Sequence, residues 1–214
     1  MTRFVGQAGD LKRQLASQVA GLVAVMVAAV ALVGWWAELP LLSSWGSGFV
    51  NMKPVTALCL TALGLALVHP GKNSRFAFAA GLAVAIVAAL DLSQVLFSVE
   101  LGIDRWLVPS DAVPEPQAAS FRIINEMPFA LALAGGSFAL SRFKGHHFTA
   151  ATLAGLAGVM AVFALLTYPT GIHSLFGPSS IRPPALPSAV GMLCVAGGLI
   201  LRIGAMPVFR KPRP

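Results

Sequence analysis

Apolar positions fall into six long runs, separated by short stretches of polar, Gly and Pro residues. The first, 15–37, has no charged residue and ends on Trp35-Trp36. A signal peptide has an apolar region of about 7–15 residues and a small-residue cleavage site, so this run predicts a retained membrane helix. The paired indoles then mark the far interface. The later runs are 52–69, 76–97, 126–143, 148–168 and 185–202. An 18-residue run makes about 27 Å of helix, close to a hydrocarbon core of roughly 30 Å.

Three of the runs open alike, on Asn51-Met52-Lys53-Pro54, Asn125-Glu126-Met127-Pro128 and Pro184-Ala185-Leu186-Pro187. Asn is a capping residue, and Pro is tolerated in a first turn, where backbone N–H groups have no intrahelical partner. The recurrence predicts three copies of one unit: a long helix, a connection, a capped entry and a returning helix. The expected fold is an all-α membrane protein with six transmembrane helices as three hairpins, a three-fold internal repeat. Residues 38–50 read as a loop, 98–124 as the longest connection with a short interfacial helix near Trp106, and 203–214 as a basic tail.

Composition supports the membrane. The chain is 57% hydrophobic and 11% charged, against about 25% charge in soluble domains. Mean hydropathy is +0.79. A pI near 10.3 would suggest nucleic acid if the basic residues formed one patch. They punctuate the apolar runs instead, so no nucleic-acid partner is expected and the charges read as topology signals. With both termini in the cytoplasm, Arg3, Lys12, Arg13, Lys72, Arg75, Arg142, Lys144, Arg202, Arg210, Lys211 and Arg213 lie inside. Lys53, Arg105, Arg122 and Arg182 lie outside, completing the 15. That asymmetry predicts cytoplasmic termini. The long connections then face outward, and recognition is expected there.

Candidate chemistry is sparse. Cys59 and Cys194 sit in apolar runs with no metal spacing. His69, His146 and His147 lie at inner ends and His173 lies outside, so no pair suits a haem. No nucleophile elbow, phosphate loop or zinc-protease motif occurs. Neither catalysis, a cofactor nor a metal is expected. Asp91 is the sharpest residue, because an ionisable group within a span is costly and marks function by default. Gln94 shares its helical face. Glu100, Asp104, Arg105, Arg122 and Glu126 form a charged cluster over the hairpin ends, and Tyr168 and His173 flank the outer end of the fifth run. These nine are the candidate ligand-binding residues. Small residues at close-packing spacing (Ala151 and Gly155, Ala154 and Gly158, Gly135-Gly136, Gly197-Gly198) are expected to hold helices together.

Three stretches resemble a bacterial six-span sensor module. Leu101-Gly102-Ile103-Asp104-Arg105-Trp106-Leu107 looks like its "LGIDRLL" motif, and Met52-Lys53-Pro54-Val55-Thr56-Ala57-Leu58-Cys59 looks like its "MSPNTALC" entry. The stretch from Tyr168 to Gly177, with Ala185-Leu186-Pro187-Ser188-Ala189, resembles "GYLLGI…LYG…MALPTA". Lys53 replaces a small residue of the family pattern. That module precedes the output domains of histidine kinases, hybrid kinases and diguanylate cyclases. The resemblance therefore implies a signal-transduction module of the bacterial inner membrane that detects an outer-face or intramembrane stimulus and relays it through the last helix. Its partners would be the lipid bilayer and either a second copy, as a homodimer, or a cytoplasmic signalling domain. The chain ends 12 residues after Arg202, so either a sensor cut from its effector or a stand-alone relative is expected. The competing readings are a small transporter using Asp91 and a structural subunit of a membrane complex.

Overall fold

The computed structural model describes residues 2–46, 49–69, 75–97, 107, 127–143, 145–170 and 184–204. Among them every regular element is helical: α1 (Thr2–Trp36), α2 (Pro40–Ser44), α3 (Pro54–Val68), α4 (Arg75–Phe97), α5 (Met127–Ser141), α6 (His147–Thr170) and α7 (Leu186–Gly204). Four stretches are long and apolar enough to cross a membrane: Gly9–Trp36, Arg75–Gln94, His147–Pro169 and Leu186–Gly204. They mark a membrane-embedded protein.

Several expectations need correction. α1 does not begin at Leu15 but runs through the polar N-terminal segment from Thr2, where Leu11, Lys12, Arg13 and Gln14 are good helix formers. Residues 38–50 are not a plain loop, because they contain α2. α3 and α5 have 15 residues each, about 22 Å of helix and short of a roughly 30 Å core. α3 starts only at Pro54, and His69 leaves the helix with φ −66° and ψ 125°. Pro70 follows, and the residue before a proline is pushed out of the helical region. Asn51 does not cap α3. Lys53 holds the N-cap position without a side-chain cap bond, and Pro54 takes the first turn. The carboxamide oxygen of Asn51 instead accepts from the Ser43 hydroxyl at 2.9 Å.

The six main helices close into a ring, each touching the next: α1, α3, α4, α5, α6, α7 and back to α1. α3, α5 and α7 also touch one another across the middle. The helices behind the three Pro-bearing entries therefore form the inner layer, with α1, α4 and α6 outside. Burial follows this division. α3 buries most of its surface, from Pro54 and Val55 through Leu60 and Leu63 to Leu67, and leaves only a narrow stripe with Leu58 and Leu65 exposed. The outer helices bury one stripe each and turn Leu22, Met26, Leu82, Ile86, Leu156 and Phe163 outward, as a lipid-facing wall does.

The buried stripes share one spacing. α1 buries Ser17, Gly21, Ala24, Ala28, Ala31 and Trp35; α4 buries Ala77, Gly81, Val84, Ala88 and Asp91; α6 buries His147, Ala150, Ala154, Ala157, Ala161 and Ala164. Steps of four and three residues alternate throughout. A seven-residue repeat keeps one stripe facing its neighbour in a left-handed supercoil. In lipid, small residues on that stripe let backbones close in and gain dispersion contact. Gly21 and Gly64 meet this way, since a Cβ on Gly64 would lie 2.7 Å from the Gly21 carbonyl oxygen. Gly81 and Gly135 repeat the contact between α4 and α5, with a Cβ on Gly135 lying 2.6 Å from the Gly81 oxygen. In the third pair, α6 and α7, Gly158 faces the Ala196 methyl at an ordinary 3.4 Å. Of the expected small-residue positions, Gly135, Gly158 and Gly198 are in contact, whereas Gly155 and Gly197 face open space.

Candidate functional site

The ring has two chemically different ends. At the basic end, where α1 starts and α7 stops, three side chains bind helix C-terminal carbonyls. Gln18 of α1 donates to the Val68 oxygen at 3.1 Å, and Arg202 of α7 donates to the Ala66 oxygen. Arg13 donates to the Gly204 oxygen at 2.9 Å. The last carbonyls of a helix lack intrahelical partners and carry its negative dipole end, so cationic donors fit there. These bonds tie α1, α3 and α7 together.

The far end holds the candidate site. Asp91 is buried on the α4 seam, 7% exposed, and its Oδ1 lies 3.8 Å from the Lys53 ammonium at the head of α3. Lys53 is 5% exposed. Gln94 donates to the same Oδ1 at 3.1 Å, one turn along α4 as the sequence spacing implies. Ser93 turns away and donates to the Leu90 carbonyl. A carboxylate removed from water needs a countercharge and donors, and Lys53 and Gln94 supply them. α3 and α4 make the thinnest of the six ring contacts, and this ion pair bridges it.

The partner of Asp91 is not legible as a binding residue. Lys53 reads as a substitution in an apolar entry and as one of four outer cations. The signal lies in the hairpin itself. α3 leaves the far end and α4 returns to it, so the head of α3 and the last third of α4 share a depth.

Register shows how unusual Asp91 is. Aligned on Gly21 and Gly81, the α1 and α4 seams place Asp91 opposite Ala31, and extending the repeat to α6 from Ala154 places Ala164 there. Two hairpins have a methyl where the third has a carboxylate. The next seam position is Trp35 in α1 and Tyr168 in α6. Both reach back to an entry segment: the Trp35 indole donates to the Met52 oxygen at 2.6 Å, and the Tyr168 hydroxyl donates to the Pro184 oxygen. Tyr168 is therefore more than an interface anchor, and its ring also meets Phe49 edge-on at 5.0 Å.

The segment before Lys53 is built as one piece with these contacts. Met52 N–H donates to the Ser43 carbonyl at 2.9 Å, the Ser43 hydroxyl shares its one proton between Asn51 and the Pro40 carbonyl, and the Ser44 hydroxyl also lies 2.9 Å from the Pro40 carbonyl. Of the expected site residues, Asp91 and Gln94 are thus brought together, and Tyr168 stands at the same end on a separate contact. Glu100, Asp104, Arg105, Arg122, Glu126 and His173 lie outside the described residues, as does the interfacial helix expected near Trp106. Among the described residues, no group of three His, Cys, Asp or Glu side chains could hold a metal. Cys59 and Cys194 are free thiols. No protein-family model, curated protein or solved structure matches the chain.

Proposed function

We propose that the chain is a sensory module of the bacterial inner membrane, six helices crossing as three hairpins with both termini cytoplasmic. A stimulus at the far, outward end shifts the Lys53–Asp91 pair, and α3 relays the shift to the basic end. The observation that supports this reading is the placement of α3. One end carries Lys53, and the last turn at the other end accepts from Gln18 of α1 and Arg202 of α7. A rigid helix of 15 residues that joins a charged site to both terminal helices suits a bistable relay. The resemblance to six-span sensors upstream of kinases and cyclases points the same way, with output through α7 to a cytoplasmic domain or a second copy.

Transport through Asp91 ranks second. A pathway needs polar groups along its length, and the seam leading from Asp91 toward the basic end is Ala88, Val84 and Gly81.

The test measures the basic end while perturbing the far end. Spin labels at Leu11→Cys and Leu201→Cys, on a Cys59→Ala/Cys194→Ala background in nanodiscs, give an α1–α7 distance. Lys53→Met should shift that distance distribution with helical content unchanged. An identical distribution with and without the Lys53→Met substitution would remove the relay.

A further inference from the structure

The segment between α1 and α3 is inside out. Ser43 and Ser44 of α2 are buried, 2% and 3% exposed, while Leu39 and Leu41 are 51% and 63% exposed. Trp45 and Phe49 also keep more than a third of their surface open. A soluble elbow would show the reverse, with serines to water and leucines to the core.

Its depth explains the inversion. The chain reverses after Trp36 through Glu38 in the left-handed region, φ 55°. The Leu39 N–H donates to the Gly34 carbonyl at 2.8 Å. A Cβ on Gly34 would lie 2.8 Å from Leu42 Cβ and 2.9 Å from Ser43 N. α2 therefore folds back beside the last turn of α1, within the stretch Gly9–Trp36 that is apolar enough to cross the membrane. Its exposed leucines continue the outward wall of α1, formed by Val30, Val33 and Trp36.

We infer that the elbow over residues 39–46 is a lipid-contacting element, with Leu39 and Leu41 packed among the acyl chains of the leaflet at the far end. The two buried serines need no water, because they bond inward to Pro40, Gly46 and Asn51, and the exposed Glu38 carboxylate fits the headgroup level at the turn before α2. The occupant is phospholipid rather than a second copy or a partner protein, since the leucines extend a surface already facing lipid. Trp36 and Trp45 fit the headgroup level, where amphipathic rings settle. The elbow also holds Met52 through the Ser43 carbonyl, so lipid packing at this leaflet bears directly on the entry of α3. The surface assignment stands whether or not α3 relays a signal.

The test is collision accessibility of a nitroxide at Leu41→Cys in the full chain, Cys59→Ala/Cys194→Ala, reconstituted in phosphatidylcholine liposomes. Molecular oxygen partitions into acyl chains, and a neutral nickel chelate stays in water. Val30→Cys on the α1 wall is the lipid reference, and His146→Cys in the α5–α6 turn is the water reference. The ratio of oxygen to nickel collision rates at position 41 should lie above unity, with the Val30 label and not the His146 label. A ratio with the His146 label overturns the inference, placing the elbow in water. Protection from both reagents also overturns it, since a protein surface would then cover the leucines. Leu39→Cys repeats the measurement if the first label disturbs folding, and the same ratio is expected.

Discussion

A double-mutant cycle on Lys53 and Asp91 tests the far-end site most directly. Two unit charges about 4 Å apart attract by about 4 kcal/mol at an effective dielectric constant of 20. Their separation is 3.8 Å, and the side chains are 5% and 10% exposed, so solvent screening is slight. Against this stands a desolvation cost of several kcal/mol for each ion. The pair as a whole is therefore near neutral, while either charge alone is not. Lys53→Met leaves a buried carboxylate held by the Gln94 amide, and Asp91→Asn leaves a buried ammonium. Each should lower stability by about 3 kcal/mol. The double variant should fall well short of the sum, because each single change already breaks the pair, giving a coupling energy of about 2 kcal/mol or more. Stability would be read from reversible unfolding in mixed detergent micelles, by titrating SDS and following helical circular dichroism. Additive losses, within about 0.5 kcal/mol, would mean that the two groups do not meet, and the bridge between α3 and α4 would be refuted.

Five further substitutions, at four positions, test the packing in the same assay. Gly64→Ala should destabilise by about 1–3 kcal/mol, because its methyl would press on the Gly21 carbonyl and Val25, whereas Gly155→Ala, facing open space, should gain up to about 1 kcal/mol of helix propensity; equal effects would contradict the crossing. Trp35→Phe removes the donor to the buried Met52 carbonyl and should cost about 1 kcal/mol, with no loss disproving that bond. Tyr168→Phe keeps the ring against Phe49 but loses the bond to Pro184, so a loss near 1 kcal/mol is expected, and the larger loss for Tyr168→Ala separates ring from hydroxyl.

Much of the helical layout is legible in the chain, for physical reasons. Apolar runs without charge can only be buried or face lipid, and the prolines at 54, 128 and 187 fall in the first turns of α3, α5 and α7. What stays hidden depends on the partner of each residue. Almost every side chain in a membrane run is apolar, so the polar-to-apolar contrast that reveals a buried face in water is missing. The inner position of α3 is not visible from its composition, and the seam of α1 shows only once Gly21 is seen against Gly64. The elbow stays hidden for a related reason. Pro40, Ser43 and Ser44 are loop formers by type, and nothing local says that the serines turn inward. Lys53 reads by type as a charge facing outward, although its target lies 38 positions on, at Asp91.

Asp91 stands where the other two outer helices have Ala31 and Ala164, and this substitution breaks a symmetry. A ring of three equal walls would have no preferred place to open, and any disturbance would be shared among them. One carboxylate with one matching ammonium makes the first and second walls distinguishable from the third. The break also gives the ring a direction, because the marked contact lies beside α3, which reaches the terminal helices at its other end. Converting Ala31 or Ala164 to Asp would ask whether that direction can be moved around the ring.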